Sequence, residues 1–474
     1  MRHRLAAPLL ALAGLAAAWT AGAEDAVPII TREARTDVAL TIYDQDLALV
    51  KDTRDVPLPA GESTIRFEDV AAKIDPRTVT VYSIGAPEGL AVVEQRYAFD
   101  LLSPEQLLQK YVGKEVELVE TDARLRTRTT KATLLSTKGG PVYQVGSRLA
   151  VGHPGRVLLP EPADGFYARP TLLWRLANGG PARHRLEVSY LTGGLSWGAD
   201  YVAVLNAEGT KADLTGWATL TNQSGARYDG ATVKLIAGHV NRARGREALL
   251  AAEMAERKAA VPRFTEEALF EYHLYTLDQR TSLAEDETKQ LRLLAARDVG
   301  VKKSLVLVGQ PGWFRSRQGD LGRDLPVGVF LEVRNDAPNN LGMPLPAGTV
   351  RVYQLDKVGA EQFLGEDAIP HTPKDEKVAL RVGQASDVVA TRTQTEYRKL
   401  DAEPFDAEVA FAITLRNRKS EPVTVLVREP LGGVWKVVQA SHTPAKLDAG
   451  TLGFEVAVPA AGETALSYRV QVGF

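Results

Sequence analysis

The feature that most constrains this chain is a period-two alternation of apolar and polar residues that recurs with the same ending. Phe411, Ile413, Leu415 and Asn417 alternate with Ala412, Thr414 and Arg416. Leu331, Val333 and Asn335 alternate with Glu332 and Arg334, and Ala218, Leu220 and Asn222 with Thr219 and Thr221. Each run predicts a strand with one buried and one solvated face. Each stops at an asparagine whose side chain can bond the backbone of the following turn. A second strand is expected soon after each, over Thr232–Ile236, Val350–Tyr353 and Val423–Val427.

A turn signature recurs alongside. Leu58-Pro59-Ala60-Gly61 leads into Ile65 and Phe67, Leu345-Pro346-Ala347-Gly348 into Val350 and Val352, and Val458-Pro459-Ala460-Ala461-Gly462 into Leu466 and Tyr468. A looser copy runs from Leu283 through Glu287 to Leu291 and Leu293. Proline ends one element, glycine permits the tight turn, and alternation resumes. Short strands punctuated this way predict a mostly β protein built of several immunoglobulin-like β-sandwich domains, with a small β module and a short helical insertion.

Helix signals are few. Ser103-Pro104-Glu105 opens one, with Leu107, Leu108 and Tyr111 on its apolar face and Gly113 as its stop. An Ala-, Glu- and Arg-rich stretch from Arg242 to Ala260 predicts a solvated second helix ended by Pro262. Lys114 to Pro160 reads as a small barrel-like or hairpin module, and Gly309 to Gly322 as an irregular, exposed crossing. The expected organisation is a leader over 1–23, an N-terminal β-sandwich region over 36–100, and a short helix plus small β module over 101–165. A β-sandwich region over 166–300 follows, with the helical insertion at 242–260, and a C-terminal β-sandwich region over 301–474.

Residues 1–23 have the form of a secretory signal. Arg2, His3 and Arg4 give a basic start, Leu5 to Trp19 an apolar stretch, and Ala21-Gly22-Ala23 a small-x-small cleavage site. The apolar stretch is short of the ~20 residues that span a bilayer. Cleavage near Ala23 predicts a periplasmic or extracellular protein with no transmembrane segment, and shifts the net charge from −2 to −4 by removing Arg2 and Arg4. The balance of 57 Lys+Arg against 59 Asp+Glu argues against nucleic acid as a partner. With no cysteine, the chain has no disulfide, thiolate nucleophile or cysteine metal site.

Catalytic signatures are missing: no paired-histidine zinc helix, phosphate loop, dinucleotide fingerprint, nucleophile elbow or calcium loop occurs. His153, His184, His239, His273, His371 and His442 lack metal-ligand spacing on any one element. Glu161 with Asp164, and Glu366 with Asp367, are paired acids by proximity alone, and their expected role is a solvated face. No catalytic, cofactor-binding or metal residue is assigned, and no cofactor is expected. Among the tryptophans, Trp217 and Trp435 read as core. Trp313, beside Phe314, Arg315 and Arg317, is the best candidate for an exposed ring that stacks on a sugar.

Other segments carry a family resemblance. Tyr190-Leu191-Thr192-Gly193-Gly194-Leu195-Ser196-Trp197-Gly198-Ala199-Asp200-Tyr201, Asp213-Leu214-Thr215-Gly216-Trp217 and Leu220-Thr221-Asn222-Gln223-Ser224-Gly225 form its first part. It continues through Leu235-Ile236-Ala237-Gly238, Tyr272-His273-Leu274-Tyr275 and Lys289-Gln290-Leu291, and closes with Glu429-Pro430-Leu431, Trp435, Phe454 and Tyr468-Arg469-Val470. From about Asp37 to the end, the chain resembles a bacterial secreted family of unknown function, which also forms the C-terminal part of mucoidy-inhibitor-like proteins. The resemblance implies a secreted, sandwich-rich protein with no assigned reaction, and hints at exopolysaccharide or envelope physiology. In the signature block, Trp197 and Tyr201 are expected in a core and Asp200 is expected to cap the Gly193-Gly194 turn.

The function these features favour is a binding or structural component of the bacterial cell envelope, with an envelope protein or glycan as partner. The alternative is an envelope glycan or peptidoglycan hydrolase using acidic residues assembled across domains.

Overall fold

A computed structural model describes residues 27–98, 104–121, 125–153, 155–160, 167, 169–238, 264–269 and 272–474. The leader, the Arg242–Ala260 helix, Ser103, Glu161, Asp164 and His239 lie outside the described residues. Strand accounts for 66% of the structure and helix for 6%, and none of the sheets closes into a barrel. The protein is mostly β.

The chain divides into two compact units that interleave along the sequence. One takes the described residues up to Thr36, Arg54–Val70 and Val81–Leu186; the other takes Asp37–Thr53, Ala71–Thr80 and Glu187–Phe474. In the first unit, strands Ile29–Ile30, Gly61–Glu68, Thr171–Asn178 and Leu90–Ala98 lie side by side in that order. Trp174 is fully buried there, packed 5.0 Å from the Phe67 ring, with Nε1 donating to Gln95 Oε1 at 2.9 Å. The 104–160 segment of this unit places helix Pro104–Lys110 beside an open five-stranded sheet. Its separate small core holds Tyr111, Val116, Leu118, Ala132, Leu134 and Tyr143. The alternation of Val116 and Leu118 with Glu115 and Glu117 puts one face inward.

The second unit has two sheets. In one, the residues of this unit that are successive neighbours are Phe264–Leu269, Tyr272–Leu277, Tyr228–Ala237, 37–43, 48–53 and 187–192. The other runs through Glu361–Ile369, Gly348–Leu355, Leu195–Leu205, Lys211–Asn222 and Glu287–Val308. It continues through Asp320–Arg334, Lys377–Ala402, Phe405–Asn417, Glu463–Gly473 and Val434–Ala440. Val423–Pro430, bonded to Thr451–Val458, branches from the end of Glu287–Val308. Val425, Val427, Phe454 and Val456 from this branch share one core with Val409, Phe411, Ile413, Tyr468 and Val470. The C-terminal part is therefore a two-layer sandwich.

The two recurrences in the sequence are halves of one device. Asn417 is fully buried; its Nδ2 donates to the carbonyls of Glu421 at 2.8 Å and Pro459 at 3.1 Å, and its Oδ1 accepts from Lys419 N at 2.9 Å. Asn222 donates to Ala226 O and Ala284 O, both at 2.8 Å, and accepts from Ser224 N at 3.1 Å. Asn335 donates to Met343 O and Pro373 O and accepts from Gly342 N. The strand-ending asparagine thus ties its own turn to a second turn that starts another strand, satisfying carbonyls that the sheet cannot reach. A fourth copy occurs at Asn178, which donates to Leu58 O, Pro59 O and Pro181 O and accepts from Gly180 N. For Asn335 the partner turn is Thr372-Pro373, not the Leu345-Pro346 turn that the sequence pattern picks out. Asp375, at φ 68°, takes the left-handed position that Gly61 fills in the Asn178 copy.

Candidate functional site: a polar sheet face around Trp217

Strand Leu195–Leu205 splits its residues by phase. Leu195, Trp197, Ala199 and Tyr201 point into the core and are buried, while Ser196, Gly198 and Asp200 face solvent. Trp197 Nε1 donates to Ile236 O at 3.0 Å and its ring meets Tyr275 edge-on. The Tyr201 hydroxyl donates to Pro346 O at 2.8 Å, and burial pushes its ionisation far above the usual phenol range. Gly216 lies against this ring: a Cβ there would sit 3.1 Å from Tyr201 and 2.9 Å from Leu294.

The neighbouring strand Lys211–Asn222 buries Ala212, Gly216, Ala218 and Leu220. Trp217 is out of phase with that row and stands half-buried on the outer face, a correction to its expected core position. It lies directly across from Asp200 on one side and Arg292 on the other. One row along, Gly198, Thr219 and Gln290 are aligned in the same way.

A chain of polar contacts runs over this face through five strands. Gln290 Nε2 donates to Thr219 Oγ1 at 3.1 Å, and Thr219 Oγ1 donates to Asp200 Oδ2 at 2.7 Å. Arg351 Nη1 donates to Asp200 Oδ1 at 3.1 Å, and Arg351 Nε lies 3.3 Å from Glu366 Oε2. Asp200 is therefore part of a cross-strand network and does not cap the Gly193-Gly194 turn; that turn is held by Asp46, whose Oδ1 accepts from Gly194 N at 2.6 Å. Further along the same face, Tyr353 and Phe363 pack 5.4 Å apart, with Phe363 57% exposed. Side chains interlocked across strands form a preorganised polar surface beside the Trp217 ring.

Beneath the sheet is an apolar cavity of about 30 Å³ lined by residues including Tyr201, Leu214, Val299, Leu331 and Val350. Space of that size without polar partners stays dry and belongs to core packing.

The other sequence candidates fall elsewhere. Trp313 is half-buried against the C-terminal core, and the Arg392 guanidinium sits 4.7 Å from its ring centre. Phe314 is fully buried against Phe411. The crossing is fixed by Gln394, whose Nε2 donates to Trp313 O and Ser316 O and whose Oε1 accepts from Gln318 N. Trp313 thus covers a buried ion pair, Arg392 with Glu429, at 2.7 and 2.9 Å with neither side chain exposed. Burial holds the Glu429 carboxyl above the usual carboxylate range, opposed by Arg392. Trp435 is half-buried, with Nε1 on Ala449 O at 2.9 Å.

Glu366 is paired as above, and Asp367 Oδ2 accepts from Arg381 N at 2.7 Å. His184 is buried between Ser83 Oγ, 2.8 Å from Nδ1, and Asn178 Oδ1, 3.0 Å from Nε2, so this hydroxyl–imidazole–amide row is part of an asparagine clamp. His153 Nδ1 accepts from Gly155 N, and His442 is paired with Ser441. His273 lies on strand Tyr272–Leu277. Among the described residues no group of three or more His, Asp or Glu side chains is arranged to hold a metal ion, and no helix is long and apolar enough to cross a membrane.

Fold and site define a multi-sheet β protein with a hydrogen-bonded polar sheet face that carries one tryptophan. The chain belongs to the family described as Domain of unknown function (DUF4139), whose model matches residues 186–474. The match begins later than the resemblance from Asp37 suggests. No curated protein matches the sequence.

Proposed function

We propose that the protein is exported through its N-terminal leader and acts in the periplasm or outside the cell as a binding component of the bacterial envelope, holding a glycan on the Trp217 face. The observation that carries this reading is Trp217 itself: a half-buried indole on the outer face of its strand, placed among hydrogen-bonding side chains. An indole face packs against the C–H face of a sugar ring, while the hydroxyls around that ring find partners in Thr219, Gln290 and Arg292. The polar ladder holds Thr219 and Gln290 in place before any ligand arrives, which lowers the entropy cost of binding. The basic-apolar-small order of residues 1–23 supports export, and the lack of thiols suits a chain that needs no cross-links outside the cytoplasm.

The test is capture from solubilised envelope by leaderless full-length protein, with sugar analysis of the bound material. Wild type is expected to retain glycan well above a matched control, and Trp217→Ala to lose at least tenfold of it. Equal capture by both, or none by wild type, overturns the reading.

A further inference from the structure

We infer that the hairpin of strands Arg35–Tyr43 and Ala48–Pro57 donates Asp37–Thr53 to the DUF4139 unit, and that its turn is a clasp positioning two adjacent strands of the Trp217 face. The hairpin lies far outside the matched residues 186–474, yet Asp37–Thr53 folds into the same compact unit. Ala39–Tyr43 pairs in parallel with Thr232–Ile236. A parallel neighbour cannot come from a tight hairpin. Here it comes from the other end of the chain. Val38, Leu40 and Ile42 on one strand, Leu47 just before the next, and Leu49 and Val50 at its start are each at most 6% exposed. Without them, the Tyr228–Ala237 strand would present an open edge.

The turn does more than connect the strands. Tyr43 N donates to Leu47 O at 3.0 Å and closes it. Asp46 Oδ1 takes the Gly194 amide, and Gly194 immediately precedes strand Leu195–Leu205, which carries Asp200. Gly194 has φ 78°, and a Cβ there would strike the Gln223 carbonyl, so glycine is needed at this turn, and its N–H finds its acceptor in Asp46. Asp44 Oδ2 accepts from Gly238 N at 3.1 Å and lies 3.4 Å from His371 Nε2. His371 Nδ1 accepts from Ala347 N at 3.1 Å, so its Nε2 carries the proton facing Asp44. Ala347 immediately precedes strand Gly348–Leu355, which carries Arg351.

Leu195–Leu205 and Gly348–Leu355 are parallel partners that start at the same end of the sheet. Two carboxylates of one turn therefore fix the beginnings of both strands whose side chains meet in the Asp200–Arg351 bond. The partner this acceptor edge fits is a parallel strand with apolar residues at alternate positions, followed by an acidic turn.

Hydrogen exchange on the full chain tests the inference through backbone protection, so its failure leaves the glycan reading untouched and failed glycan capture leaves this one untouched. Leu40→Ala is expected to accelerate exchange in Asp37–Thr53 and Tyr228–Ala237 together, at least tenfold. Strands Gly61–Glu68 and Thr171–Asn178 are expected to keep wild-type protection. Asp46→Ala, a surface change that folding should tolerate, is expected to accelerate the first amides of Leu195–Leu205 by a similar factor. Faster exchange in the hairpin alone, with Tyr228–Ala237 unchanged, overturns the donated strand. Unchanged protection at Leu195–Leu205 in Asp46→Ala overturns the clasp.

Discussion

Replacing Asn417 removes three well-formed hydrogen bonds: to Glu421 O at 2.8 Å, to Pro459 O at 3.1 Å, and from Lys419 N at 2.9 Å. At about 1 kcal/mol net for each, Asn417→Ala should cost roughly 3 kcal/mol, and more where the abandoned groups stay dry. That corresponds to about a hundredfold change in an opening equilibrium. The Asn417→Asp variant sharpens the test. One oxygen can still accept from Lys419 N, but the other faces two carbonyls and has no proton to offer them. At neutral pH the aspartate should therefore cost at least as much as the alanine.

Burial among acceptors raises the folded pKa of this new carboxyl above its unfolded value of about 3.9. The native state then binds the proton more tightly, so this variant gains stability as pH falls. The assay is native-state hydrogen exchange of strands Phe405–Asn417 and Thr451–Val458, with the strands of the other unit as internal reference. Exchange within threefold of wild type for both variants at pH 7, or an aspartate milder than the alanine, would refute the clamp as a source of stability.

Two further outcomes follow from charged groups in the C-terminal sandwich. Glu408 accepts from Gln471 at 2.9 Å, Arg469 at 3.0 Å and Arg398 at 3.1 Å, and the Gln471 bond foremost holds its carboxyl below the usual 4.5. Its contribution is complete above pH 4.5 and is lost as pH falls through the lower folded value, so the denaturant-midpoint gap between wild type and Glu408→Gln should be widest at neutral pH and close in acid. For the buried pair, Arg392→Met or Glu429→Leu alone should cost about 3–5 kcal/mol by stranding the other charge, while the double variant should recover most of it; additive losses in a denaturant cycle would contradict that.

How far the sequence reveals this fold can be seen at particular residues. Asn222, Asn335 and Asn417 stand out because each ends an alternating run, and each is a clamp. Asn178 ends an equivalent run of Leu172, Trp174 and Leu176, so the same signal was present there. The Thr372-Pro373 turn is harder to recognise because Asp375 replaces the glycine. Trp217 was legible by phase: Ala218, Leu220 and Asn222 define the inner row, which leaves Trp217 with Thr219 and Thr221 on the outer one. Residue type, a large aromatic beside a strand, points the other way. Trp313 misleads in the opposite direction, because glycine and arginine neighbours suggest exposure while Arg392 lies buried against its ring. The parallel pairing of Ala39–Tyr43 with Thr232–Ile236 leaves no local trace, since nothing in either segment encodes a partner so distant in sequence.

The signature block around strand Leu195–Leu205 separates what the core demands from what it does not. Trp197, Ala199 and Tyr201 are accounted for by packing and by the carbonyls their polar tips reach. Gly198 is not. Its backbone is extended, a Cβ there would meet nothing within 4 Å, and glycine inside a strand costs roughly 0.5–1 kcal/mol relative to alanine. The core gains nothing from that cost, because the missing side chain would stand on the solvent face. It would rise directly across from Thr219, one row from Trp217. A bare position in that place keeps the surface beside the indole low and open, while Asp200, Thr219 and Arg351 around it are tied down by one another. A low surface kept at a cost in strand stability, next to a half-buried ring, suits the proposed glycan site, and the packing beneath it does not call for it.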